Sequence, residues 1–179
     1  MFVNGFFEQR VERLLDLAWR VEHLFTKAGL DYRVAGGLAV YLYVEQVDSD
    51  AGRLTKDVDI IVRREDLPAI ATAAEPFGLH YRVVDGRDLL VQTEASTRRA
   101  VHLLIAGEHG VPPLGLCQTV RQLHLIPLPD LVRMKLTSFR AKDAAHIVDL
   151  DDAGLITPEV EATLPDILLQ RLAEARVRG

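Results

Sequence analysis

The chain has 179 residues, 49% hydrophobic and 26% charged, with a formal net charge of −5. That size suits one ordinary domain, or a core with a helical extension, and the charge excludes a chain that binds nucleic acid over its whole surface. Cys117 is the only cysteine, which excludes an intrachain disulfide and fits a reducing compartment. No apolar run approaches the ~18 residues of a membrane span. The opening "MFVNGFFEQR" lacks a basic region and reaches an acid at Glu8, so it is a poor secretion signal. A soluble cytoplasmic protein with no membrane partner is expected.

Residues 5–29 carry Val11, Leu14, Leu15, Ala18, Val21 and Leu24 at helical spacing, with Gly29 as a stop. "DYRVAGG" predicts a short strand ending in two glycines. "LAVYLYVEQV" (38–47) predicts a helix, mostly apolar and therefore buried. A polar loop leads to the strand "KDVDIIV", and "REDLPAIATAAEPFG" predicts a helix with Pro68 tolerated in its first turn. "LHYRVV", "LLVQT" and "AVHLLIA" predict three strands, the first two joined by a turn at "DGRD" (85–88). "GEHGVPPLG" is a loop. Beyond Pro127 and Pro129 three helices are expected, in "DLVRMKLTSFR", "KDAAHIVDLDDAG" and "PDILLQRLAEARVRG". There is no internal repeat. The order lacks a regular βαβ alternation, so the fold class is α+β: a mixed β-sheet with packed helices and a C-terminal helical extension. The expected division is a core over 1–126 and a helical region over 127–179.

Two features carry chemistry. Asp57 and Asp59 alternate with Val58, Ile60 and Val62, so both acids share one strand face, roughly 6 to 7 Å apart at Cα. Such a pair suits magnesium, which prefers hard carboxylate oxygens and keeps substrate phosphates as further ligands. The alternatives are a solvated acidic face on an edge strand, or an aspartate capping the next helix. Gly36 and Gly37 stand between a strand and a helix, where a phosphate approaches the backbone and the helix N-terminus offers free N–H groups. Alone, that pair is equally a tight turn. Together, a phosphate cradle about twenty residues before an acidic strand points to a nucleotide with its metal.

"VAGGLAVYLYV" and "GRLTKDVDIIV" resemble the nucleotidyltransferases of the DNA-polymerase-beta-like superfamily, in particular the small bacterial branch related to abortive-infection type toxins. Gly36, Gly37, Arg53, Thr55, Asp57 and Asp59 match its G-G and R-x-T-x-D-x-D pattern, and Lys135, Arg140, Lys142 and Asp143 match a helical element near its end. The resemblance spans roughly residues 30–150. It implies magnesium-dependent transfer of a nucleoside monophosphate from a nucleoside triphosphate, such as ATP, to a hydroxyl, with pyrophosphate leaving. Asp57 and Asp59 would hold the metal. Gly36 and Gly37, with Arg53, Thr55, Lys135 and Lys142, would bind the nucleotide, Lys135 acting as a point charge on phosphate. The acceptor, a small molecule, a tRNA or a protein, is not legible in the residues. A toxin role would add an antitoxin partner.

The resemblance also implies a third acid on a later strand, and "RRAVHLLIAG" has His102 there. Three readings follow. His102 is the catalytic base at a weakened metal site. Another acid, Glu94 or Asp88, completes the site. Or the protein has lost transfer activity and binds a nucleotide or a partner protein. His80, His109, His124 and His146 lack metal-ligand spacing and are expected to be surface or satisfied core histidines. "TRR" at 97–99 is expected to be a solvated turn.

Overall fold

The structure is a computed structural model, and it describes residues 2–49, 51, 53, 55–92 and 100–178. Its strands are β1 (Arg33–Ala35), β2 (Val58–Val62), β3 (Leu79–Val84), β4 (Arg87–Gln92), β5 (Ala100–Ile105), β6 (Gln118–Val120) and β7 (Leu123–Leu125). Its helices are α1 (Phe2–Ala28), α2 (Gly36–Glu45), α3 (Leu67–Ala74), α4 (Leu128–Ser138), α5 (Ala141–Asp152), α6 (Pro158–Glu161) and α7 (Asp166–Arg178). The strands form one sheet in the order β3-β4-β5-β2-β1-β7-β6. β2 pairs antiparallel with β1 and parallel with β5, so the sheet is mixed, as expected.

β2 lies inside the sheet, which excludes the solvated edge strand as an account of its acids. Val58, Ile60 and Val62 are fully buried, and the β-branched run suits a strand covered on both faces. The stripe Val11, Leu14, Leu15, Ala18, Val21 and Leu24 on α1 joins the same core. α1 packs with α3 against the sheet, while α2 carries a second group made of α4, α5 and α7. α2 is buried from Gly36 to Val44, because it is sandwiched between the sheet and these later helices.

The expected helix over 64–78 is shorter. It begins at Leu67 with Pro68 in its first turn, and 3₁₀ turns at Arg64–Asp66 and Glu75–Phe77 flank it, the second containing Pro76. The β3–β4 hairpin is closed by Asp85 and Gly86, both at positive φ (51° and 72°), as a two-residue turn requires. Strands β6 and β7 were not expected, since each has only three residues, too few for a periodic signal. They are held by pairing, with β7 parallel to β1 at Val34 and Leu125. Buried Arg33 on β1 donates to the carbonyls of Gly115 and Leu116, tying the preceding loop to the sheet. Among the described residues no helix is long and apolar enough to cross a membrane.

Candidate functional site

The sheet register assembles the site. Asp59 on β2 is opposite Ala35 on β1 and opposite His102 on β5, and His102 is opposite Leu89 on β4. Directly paired residues share a face, so Asp59 and His102 point to the same side of the sheet. His102 Nδ1 lies 3.2 Å from Asp59 Oδ1. This hydrogen bond, with the charges of Asp59 and Asp57, raises the imidazole pKa above its ordinary value, although burial opposes protonation.

Gly36 follows Ala35 and begins α2 at φ +64°. A Cβ there would stand 1.7 Å from Asp59 Oδ2, so glycine is needed both for the conformation and for the approach of Asp59 to the helix start. Ala35, at the N-cap, provides no side-chain cap. The first N–H groups of α2 therefore have no side-chain acceptor beside Asp59, the arrangement that suits a phosphate.

A cleft of about 610 Å³ opens over these groups. Gly36, Asp59, His102 and Lys135 line it, together with the β3–β4 turn, the loop at 108–111 and one side of α4. Gly37, Arg53, Thr55, Asp57 and Lys142 are not in its wall. They lie beside it. A Cβ on Gly37 would meet the Thr55 side chain at 2.8 Å, Lys142 Nζ is 3.5 Å from Thr55 Oγ1, and Arg53 Nε is 3.0 Å from Asp149. Asp57 is half-buried just before β2 and acts on His102 through its charge. The ammonium of Lys135, expected to act as a point charge on phosphate, is 3.0 Å from Asp143 Oδ1. Asp143 is 1% exposed and also accepts from Ser138 at 2.7 Å and Arg140 at 2.9 Å. Burial acts to raise the Asp143 pKa, but these donors and the Lys135 charge outweigh it and hold the carboxyl well below the ordinary range.

Of the other acids weighed for the site, Asp88 also lines the cleft, but it lies one residue out of phase with His102's partner Leu89 and accepts from Tyr81. Glu94 and the cluster at 97–99 lie outside the described residues. Among the described residues no three His, Cys, Asp or Glu side chains are placed to hold a metal ion. The donors present, Asp59 in the cleft with Asp57 near it, suit a hard cation that takes its remaining ligands from phosphate and water.

Sequence reasoning missed Arg64, Arg87 and Glu108 in the cleft wall, because neither motif nor spacing marks them. It also took His146 for a satisfied or surface histidine. His146 is 2% exposed, and its Nδ1 has no hydrogen-bond partner. Burial first, then the positive charges of Lys135 and Lys142, lowers its pKa from 6.5 to about 4. The unfolded chain therefore binds a proton near pH 6.5 that the folded chain refuses until about pH 4. Stability from this group is full above pH 6.5 and declines as pH falls through that window, by about 1.4 kcal/mol per unit. His102, with its raised pKa, contributes in the opposite sense: its part is present below the ordinary value and is lost as pH rises through the folded value. Urea unfolding at pH 7 and pH 5 should show a smaller acid loss in His146→Gln than in the wild type. An equal loss in both would show that His146 is not the group responsible.

No protein-family model matches the chain, and no curated protein matches it in sequence. Solved structures do match in shape. An antigenic nucleotidyltransferase-like protein from Paracoccidioides brasiliensis superposes with a TM-score of 0.64 at 16% identity, over 93% of this chain and 88% of the other. The antibiotic-resistance factor ANT(2'')-Ia gives 0.51 at 12% identity over 94% and 85%. JHP933 from Helicobacter pylori gives 0.50 at 11% identity over 95% and 91%. At such identities the likeness is one of architecture, and this chain has a nucleotidyltransferase-like fold.

Proposed function

We propose that the protein transfers a nucleoside monophosphate from a nucleoside triphosphate to a hydroxyl acceptor, with magnesium as cofactor. The observation that carries this reading is the contact between Asp59 and the uncapped start of α2 at Gly36, inside a cleft large enough for a small ligand. Asp59, with Asp57, would hold magnesium, which when bound neutralises phosphate charge and polarises the reacting phosphoryl group. Gly36 and Gly37 would seat the terminal phosphates on backbone N–H groups. Lys135 and Arg140 sit at the cleft wall, with Asp143 fixing the direction of their charges. Isothermal titration with ATP and the other triphosphates tests the reading: binding should be weak without magnesium and stronger with it. Equal affinity in both conditions would refute it.

A second reading is favoured by one observation. His102 directly faces Asp59, where a third carboxylate would complete the metal site, and imidazole is a poorer magnesium ligand. The protein would then bind a nucleotide without transferring it. His102→Asp separates the two. If His102 replaces a lost acid, magnesium affinity should rise in the variant. Its metal-free stability should fall by roughly 1 kcal/mol, since like charges then face each other across strands. If His102 is a working base, the variant should lose transfer activity instead. Unchanged metal affinity together with unchanged activity would remove His102 from both roles. The narrower placement, in the branch related to abortive-infection toxins, would add an antitoxin partner; growth arrest on expression, relieved by a coexpressed neighbouring gene product, is its test.

A further inference from the structure

Most of the charged side chains around the cleft have a hydrogen-bond or ion-pair partner within the protein. Arg64 grips Glu108 through two contacts of 2.6 Å. Lys135 and Arg140 share Asp143 at 3.0 and 2.9 Å. His102 faces Asp59, and Asp88 accepts from Tyr81. Arg87 is the exception: it lines the cleft, and among the described residues it has no hydrogen-bond or ion-pair partner. The next residue, Asp88, lines the same cleft but forms no ion pair with it, its carboxylate accepting from Tyr81 instead.

Its position is informative. Arg87 shares a face with Leu89, and Leu89 is opposite His102, so Arg87 stands diagonally beyond His102 on the same face as Asp59. Across the sheet the order is β4, β5, β2, β1. Asp59 therefore lies between two flanks. On the β1 flank is the glycine start of α2, assigned above to the triphosphate. On the β4 flank is Arg87, about two strand spacings or ~10 Å from β2. Its charge is felt at His102, where it opposes protonation.

Resting on the nucleotidyl-transfer reading, we propose that Arg87 anchors the acceptor, and that the acceptor is a small hydroxyl compound bearing an anionic group, a phosphate or a carboxylate. The hydroxyl would lie near Asp59 and His102 while the anion meets the guanidinium. Arginine is suited to this because its planar fork binds either anion through two parallel hydrogen bonds. An exposed arginine with no internal partner also has no structural work to lose, so its replacement should leave the fold intact.

The test uses the full chain with magnesium and a non-hydrolysable ATP analogue. Glycerol 3-phosphate, glycerate, glycerol and the polycation tobramycin are titrated into wild type, Arg87→Gln and Arg87→Glu. One or both anionic probes should bind wild type about tenfold or more tighter than glycerol, and which of them does so identifies the anion. That preference should vanish in Arg87→Gln and reverse in Arg87→Glu, with analogue affinity within about twofold of wild type. Equal binding of the anions and glycerol, or a preference for tobramycin, would overturn the proposal. A fall in analogue affinity in the Arg87 variants would assign Arg87 to the nucleotide instead. Binding of a short RNA with no binding of the small anions would overturn the small-molecule assignment. If the wild type binds no triphosphate, the transfer reading fails separately; the same probes are then titrated without nucleotide, and loss of anion binding in Arg87→Glu still decides whether Arg87 is an anion anchor.

Discussion

Replacing Asp57 and Asp59 together with asparagine should abolish the magnesium-dependent gain in triphosphate affinity, a loss of at least about tenfold, with little change in thermal stability. Asparagine keeps the shape of aspartate and its acceptor oxygen, so His102 retains a partner at Asp59's position. What disappears is the charge, and with it the hard anionic ligands that magnesium needs. The two positions should not weigh equally. Asp59 lines the cleft beside Gly36, whereas Asp57 stands outside the wall. Asp59→Asn alone should therefore remove most of the gain, and Asp57→Asn a smaller part. Titration calorimetry with magnesium and ATP on the two single variants and the double variant is the measurement. A double variant that binds magnesium–ATP as the wild type does would show that this acidic strand is not the metal site.

Asp143→Ala should be severely destabilising, by about 3 to 5 kcal/mol in urea unfolding. Asp143 is buried under three donors, and Lys135, its buried cationic partner, is only 8% exposed. Removing the carboxylate leaves that ammonium desolvated and unpaired, and it is this penalty that dominates. A second variant tests the cause. Lys135→Met combined with Asp143→Leu removes both charges and fills the space, so it should recover most of the lost stability. If the double variant is as unstable as Asp143→Ala, the loss comes from packing or from the Ser138 and Arg140 bonds. The wild type should also lose stability from this group in acid, because its pKa is depressed: the contribution is present above pH 3.8 and declines as pH falls below it.

These two predictions concern residues whose roles were legible to different degrees. The D-x-D run placed Asp57 and Asp59 on one face through strand alternation, and the structure puts Asp59 in a cleft beside the glycines. Lys135 was marked by its motif, but its pairing with Asp143, eight residues away across a helix corner, follows from the packing of α4 on α5. Arg87 carried no signal at all. One residue past a hairpin turn, it looks like any solvated charge until the register sets it diagonally beyond His102.

The amino-acid sequence by itself determined the types of the longer elements, the buried stripe of α1, the buried character of α2, the β3–β4 turn and the glycine–acid combination. All of these rest on local rules: helical and strand periodicity, turn chemistry, and the backbone freedom of glycine. The tertiary structure alone decided that β2 is an interior strand, that β6 and β7 extend the sheet beyond β1, and that His102 faces Asp59. It also decided which cations of the cleft are already matched and which one is left over. Those facts depend on pairing between segments tens of residues apart, where the free energy of a contact is set by the partner that the fold delivers and not by the neighbours in the chain.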